Sequence, residues 1–401
     1  MQTGSSELKQ EENLRILAVK HRWFDATACI KNELEREIGA KLSIDYIDDE
    51  WGMYEESKRR ITSDRSEYDL FMVDSIWIYE YVQRGMIAPL DRLFSAYGVP
   101  SDYDFEDLIS EYVEHFCTVD GTLFCLPLSG HTNFLAYRRD LFDRGGLTPP
   151  RTQEELLHCA EALTRDGVYG ITLRGKGFEL AYTYMLFLYP RGGRILDERC
   201  TPCLETPEAL QTLQYLKELW QYTPPDVLGY SFPDMAASFQ NGSAAIYHDA
   251  SVGAILTHEC PLRDRFGYSL TPAGTDVRTS VAGWGIGITA ASSHKEKALR
   301  WLTIVTGKEH AEKLLREGRD PIRISTLKDR KLREEFGFLA AIEENLRYAS
   351  PWFRPPIPEL AGVLDILGQK VQAVLTGVHG PKEGLAIAQR AIGDFLKLSG
   401  Y

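Results

Sequence analysis

Residues 68–73 read YDLFMV, a short apolar run of the kind that a strand covered on both faces requires. Reading outward from it, residues 14–19 (LRILAV) form a second such strand, and residues 41–47 (KLSIDYI) alternate like a half-buried one. Helices are expected between them, over residues 26–38 and 54–62. This β-α-β-α-β opening predicts an open α/β sheet, in which ligands bind beyond the carboxyl ends of the strands. Residues 20–25, 48–51 and 74–77 therefore deserve attention as site positions.

The middle of the chain continues in the same class. Residues 121–127 (GTLFCLP) read as a turn and strand, and residues 133–137 as another strand. Thr152 with Glu155 makes a capping box for a helix reaching Thr164, and Thr206-Pro207 opens a further helix. A second α/β region is expected over residues 137–270. Residues 280–302 (SVAGWGIGITAASSHKEKALRWL) return a strand, with Ser293 and Glu296 expected to cap the helix that carries Trp301. Beyond Thr326 the pattern is helical, broken by the loop at residues 350–358 (SPWFRPPIP).

The chain has 401 residues, enough for two domains, and a net charge of −13 that argues against nucleic acid or anionic lipid as the main partner. The longest apolar run, residues 181–189, is far too short to span a bilayer. The polar start MQTGSSELKQEENL does not read as a signal peptide, which leaves two expectations open. Either the protein is extracytoplasmic and its leader is absent from this sequence, or it is cytoplasmic. Seven cysteines leave at least one unpaired, and Cys200 and Cys203 are read as a hairpin-tip pair, disulfide-bonded or free.

Catalytic signatures are missing. There is no GxSxG elbow, P-loop or HExxH, and the glycines around Trp284 lack the spacing that wraps a pyrophosphate. His258-Glu259 has no second His at helical spacing, and no metal or cofactor is expected. Asp48-Asp49-Glu50 could supply an acid and a base but equally suits a solvated loop. What the chain does carry is aromatic residues at strand ends and loops, with charged neighbours beside several of them. That pairing suits a sugar or polyol, whose C–H faces lie on rings while its hydroxyls bond to charged groups. The same aromatics also suit packed cores.

Several segments, in order, resemble family 1 extracellular solute-binding proteins, the sugar- and polyol-capturing subunits of bacterial ABC importers. They are residues 68–90 (YDLFMVDSIWIYEYVQRGMIAPL), 121–142 (GTLFCLPLSGHTNFLAYRRDLF), 147–160 (LTPPRTQEELLHCA), 239–249 (FQNGSAAIYHD) and the Gly-Trp-Gly return strand. The resemblance implies a two-lobed periplasmic-binding-protein-like fold of type II, with hinge-linked lobes and a ligand cleft between them. Residues 1–13 are expected to be a disordered lead, residues 14–135 with 282–325 the N-terminal lobe, and residues 136–281 with 326–401 the C-terminal lobe. The glycines beside Trp284 are expected to let strand and ligand approach closely.

Strand-end position and the resemblance together nominate the cleft residues. Trp23, Trp77, Trp284 and Trp352 would stack on the ligand. Glu50, Asp74, Asp249 and Arg323 would bond its hydroxyls, with Tyr137, Tyr182 and His248 as further candidates. The function implied is capture of a sugar or polyol by a monomer that docks on a membrane permease. Two other readings stand beside it: a cytosolic ligand sensor on the same fold, and a sugar-acting enzyme using Glu50 and Asp249.

Overall fold

The computed structural model describes residues 12–250 and 260–401, so most of the expected lead, and His258-Glu259, lie outside the described residues. Two sheets organise the chain. In the first, the strand Asn13–Val19 lies between two parallel neighbours, Lys41–Ile47 and Leu70–Asp74. The late strand Thr279–Ile288 then runs antiparallel to Leu70–Asp74 on one side and to Cys125–Thr132 on the other. All five residues of Leu70–Asp74 are buried, as the apolar run predicted. The second sheet has the order Phe266–Ser269, Phe134–Arg138, Ala244–Asp249, Tyr169–Thr172.

Asn133 alone separates the last strand residue of the first sheet, Thr132, from the first of the second, Phe134. Its side-chain Oδ1 accepts from the backbone N–H of Ser280 at 3.0 Å, which ties this crossing to the returning one. A third segment, Ala349–Ser350, pairs with Thr279–Ser280 at the same place.

Helix starts follow local chemistry. Asp49 caps the helix Glu50–Arg60, its Oδ1 accepting from the N–H of Gly52 at 2.8 Å. The helix therefore begins earlier than its apolar pattern predicts, and Glu50 sits in its first turn, where a carboxylate is favoured by the helix dipole. The capping box at Thr152 and the cap at Thr206 form as expected. That at Ser293 does not. His294 is the N-cap of Lys295–Val305, and the hydroxyl of neighbouring Ser292 donates to Asp69 while accepting from the N–H of His294. The expected helix over residues 26–38 divides into a 3-10 run, Ala26–Ile30, and an α-helix, Lys31–Ile38.

The glycines beside Trp284 also serve the protein's own packing. A Cβ at Gly283 would meet the Ser129 carbonyl oxygen at 2.4 Å and the Phe116 ring at 2.7 Å; one at Gly287 would meet Ile87 at 2.3 Å. These glycines admit neighbouring protein groups of the first sheet's packing. All seven cysteines are free, and Cys200 and Cys203 sit on a tight hairpin closed by the Leu196–Pro202 bridge. Among the described residues no helix is long and apolar enough to cross a membrane.

Candidate functional site

Strand ends from both sheets converge on one enclosed space. Trp23 follows the strand Asn13–Val19, Glu50 follows Lys41–Ile47, and Asp74 ends Leu70–Asp74. From the second sheet, Arg174 follows Tyr169–Thr172 and Ala250 follows Ala244–Asp249. With His131, Tyr182, Phe232, Ala282, Gly283, Trp284 and Arg354 they line a narrow space of about 30 Å³. That is well below the roughly 300 Å³ of an open small-molecule pocket, so the walls stand close together.

Aromatic rings supply one wall. Trp23 and Trp284 have centroids 6.3 Å apart and planes 34° apart, while Trp77 stands edge-on behind Trp284 at 5.2 Å. Phe232, from the second sheet's side, closes on Trp23 at 5.7 Å. Trp51 and Phe178 meet likewise at 5.5 Å.

The polar wall is built on two arginines. Arg174 grips Asp249 through two bonds and donates to Glu179 Oε2 at 3.3 Å, its guanidinium lying 4.6 Å from the Phe232 ring centre. Arg354 donates to Asp74 Oδ1 at 3.0 Å and to Ser75 Oγ, and covers the Tyr182 ring at 4.8 Å. Glu50 Oε1 lies 3.3 Å from His21 Nε2.

Burial shapes the ionisation of these groups. It works to raise the Glu50 carboxyl, but the bond to His21 and the charges of His21, Arg174 and Arg354 outweigh it and hold the group below its ordinary range. For Asp74 burial wins, with Arg354 opposing and the Glu50 charge adding, so its carboxyl is raised. Glu179 is pushed up to about 8 by burial first and the Glu50 charge second. Four atoms of the lining residues, Tyr182 OH, Arg354 Nε and both ring nitrogens of His131, are buried without a hydrogen-bond partner. A buried polar atom left unpaired costs about 1–3 kcal/mol, so these four leave hydrogen-bonding capacity around the cavity that the protein does not itself use.

Residues 30–312, more than half of the chain, match the model of the bacterial extracellular solute-binding protein family. The chain belongs to this family. Among curated relatives of this solute-binding protein, the mannitol-binding protein of Pseudomonas aeruginosa is 29% identical over 387 residues, covering 88% of this chain and 87% of that one. A probable amino-acid ABC transporter periplasmic-binding protein of Sinorhizobium fredii, y4oP, is 23% identical, covering 97% and 90%. Among solved structures, an ABC transporter solute-binding protein from Agrobacterium radiobacter K84 in complex with ribitol superposes with a TM-score of 0.89 at 26% identity, covering 96% of this chain and 98% of that one. One from Agrobacterium vitis S4 with bound D-mannitol gives 0.88 at 23%, covering 97% and 99%. The two-lobed α/β fold expected from the sequence is the fold these structures share.

Of the nominated residues, Trp23, Glu50, Asp74, Tyr182 and Trp284 line the solute-binding protein's cavity. Asp249 stands one step behind, committed to Arg174 and to the N–H of Ala250. Trp77 is likewise behind, 1% exposed against Trp284 and Tyr54. Four nominations fall elsewhere. His248 points from the strand face opposite Asp249, where Nε2 meets Thr271 Oγ1 at 2.7 Å and burial lowers its pKa to about 3. Arg323 is wholly buried, donating to the carbonyls of Thr306 and Asp104 and covering the Tyr103 ring. Tyr137 packs on Phe142 at 4.7 Å. Trp352 is 38% exposed and is not among the cavity's lining residues.

The nominations omit His131, Arg174, Phe232 and Arg354. Arg174 was within reach of the strand-end rule, but its strand Tyr169–Thr172 has only four residues and gives little periodicity. Arg354 stands two residues from the nominated Trp352 in the loop that follows Ala349–Ser350.

Proposed function

We propose that this protein captures a small, neutral polyol or monosaccharide between two lobes and delivers it to the membrane permease of an ABC importer. The observation that carries the reading is the set of four unpartnered polar atoms around a cavity walled by Trp23 and Trp284. A polyol presents hydroxyls that both donate and accept, and C–H faces that rest on indole. The charged residues around the cavity nearly cancel: Glu50, Asp74 and Asp249 oppose Arg174 and Arg354, while Glu179 is pushed up to about 8. Such a balance favours a neutral guest over a sugar acid. The space between the walls is small, about 30 Å³, and one short polyol or ring asks less opening of it than an oligosaccharide does. The names of two similar proteins agree, one a mannitol-binding protein and the other seen with ribitol.

In this reading residues 14–135 with 282–325 form one lobe and residues 136–281 with 326–401 the other, hinged where the chain crosses near Asn133 and Ser280. Contacts such as Phe232 on Trp23 belong to the closed state, and the lobes part to admit solute. The protein works as a monomer outside the cytoplasmic membrane and turns nothing over. The non-enzymatic reading is supported by Asp249, one of the two acids a glycosidase would need, which is held in the Arg174 fork.

Calorimetric titration with D-mannitol, ribitol, glucose, maltotriose and gluconate tests this. Binding of one of the polyols or of glucose, with gluconate and maltotriose silent, is the expected pattern. Preference for maltotriose or gluconate would overturn the size or charge argument respectively.

A further inference from the structure

His131 lies on the strand Cys125–Thr132 opposite Ala282, two residues from the Ser129–Trp284 pair. Alternation along the strand places the His131 and Trp284 side chains on one face. The imidazole packs on Trp23 at 4.7 Å, and its Nδ1 lies 3.1 Å from Oδ2 of Asp320. Asp320 is itself buried, on the loop that follows the helix Ala311–Arg316. Its neighbour Arg319 donates to the carbonyl of Trp23 at 3.1 Å and to that of Val305 at 3.0 Å. One loop thus braces both members of the His131–Trp23 pair from behind.

Neither ring nitrogen of His131 has a hydrogen-bond partner, but the Asp320 carboxylate 3.1 Å from Nδ1 favours a proton on that nitrogen, which leaves Nε2 to present a lone pair. That Nε2 is buried without a partner, on a residue that lines the cavity. Its neighbours around the space include the donors Arg174 and Arg354 and the carboxylates of Glu50 and Asp74, already bonded to His21 and Arg354. We infer that His131 is a specificity-determining residue whose Nε2 accepts the proton of one ligand hydroxyl, and that Asp320 is the positioning residue that holds its tautomer. The inference rests on the polyol reading above and names one contact within it.

D-Mannitol and its monodeoxy derivatives, titrated against wild type, His131→Phe, His131→Gln and Asp320→Asn, test it. Phenylalanine keeps the ring against Trp23, so His131→Phe should bind mannitol about tenfold or more weaker. One monodeoxy derivative should bind weakly to wild type and lose nothing further in that variant, because the lost hydroxyl is the one His131 reads. His131→Gln should recover part of the affinity, and Asp320→Asn should narrow the gap between mannitol and that derivative. Mannitol affinity of His131→Phe within twofold of wild type would overturn the inference, as would an equal loss for mannitol and every derivative. Wild type binding neither a polyol nor glucose would instead overturn the proposed function, before any variant is compared.

Discussion

The guanidinium of Arg174 holds the carboxylate of Asp249 in a fork, Nη2 to Oδ1 at 2.5 Å and Nε to Oδ2 at 2.9 Å. Both residues are buried, so the pair is a charge clamp within the second lobe's side of the cleft. Breaking a buried pair on one side leaves the other charge uncompensated, at about 3–5 kcal/mol. Asp249→Asn is therefore expected to destabilise the fold by that order, read as a lower urea midpoint at neutral pH. A midpoint equal to wild type would show that the fork holds nothing together.

Gly283 and Gly287 offer a test of what the glycines around Trp284 do. Alanine at Gly283 would collide with a backbone oxygen, that of Ser129, whereas alanine at Gly287 would meet side-chain atoms, Ile87 Cδ1 at 2.3 Å and Cγ1 at 2.9 Å. Gly283→Ala should cost about 1–3 kcal/mol and Gly287→Ala less, measured by urea unfolding without ligand. The reverse order would contradict the packing account.

Glu179 makes stability depend on pH. Its carboxyl is pushed up to about 8 by burial and the Glu50 charge, against an ordinary value of 4.5. Between those values the folded protein holds a proton that the unfolded chain has lost, so this group's contribution falls as pH rises through the window and levels off above it. Glu50, held low, acts with the opposite sign, its contribution being lost as pH falls through its folded value. Glu179→Gln keeps an acceptor for the N–H of Phe232 and removes the proton-linked slope. Melting temperatures should fall less steeply in this variant than in wild type from about pH 5 to 8. Parallel curves would place the Glu179 carboxyl at its ordinary value.

Trp284 is 2% exposed, wedged between Trp23 and Trp77. Trp284→Ala should therefore lose both polyol binding and about 3–5 kcal/mol of stability, since the neighbours cannot refill an indole-sized hole. Trp284→Phe should retain most of the stability while binding more weakly. Full affinity in Trp284→Phe would move the ligand away from this wall.

Much of this site was legible because strand ends are legible. The runs LRILAV, KLSIDYI and YDLFMV became the strands that deliver Trp23, Glu50 and Asp74 to the cavity. What failed was orientation. His248 and Asp249 are adjacent on one strand, so at most one can face the cleft, and only three-dimensional structure says which. Residues 318–326 supplied the nomination of Arg323, yet the side chains from this segment that brace the cleft are Arg319 and Asp320. No local pattern distinguishes an arginine that props a tryptophan carbonyl from one that bonds a ligand.

The placement of Thr279–Ile288 between Leu70–Asp74 and Cys125–Thr132 has a consequence for how the chain acquires its structure. The first sheet lacks its joining strand until more than two-thirds of the polypeptide has been made. Contacts so distant in sequence carry a large loop-closure penalty, and topologies rich in them fold slowly. An N-terminal fragment ending near residue 150 would have the first three strands and Cys125–Thr132 with nothing between them, and is expected to remain uncompacted. Cooperative folding of the first sheet must wait for the chain's late return, whereas every strand of the second sheet has been made before it.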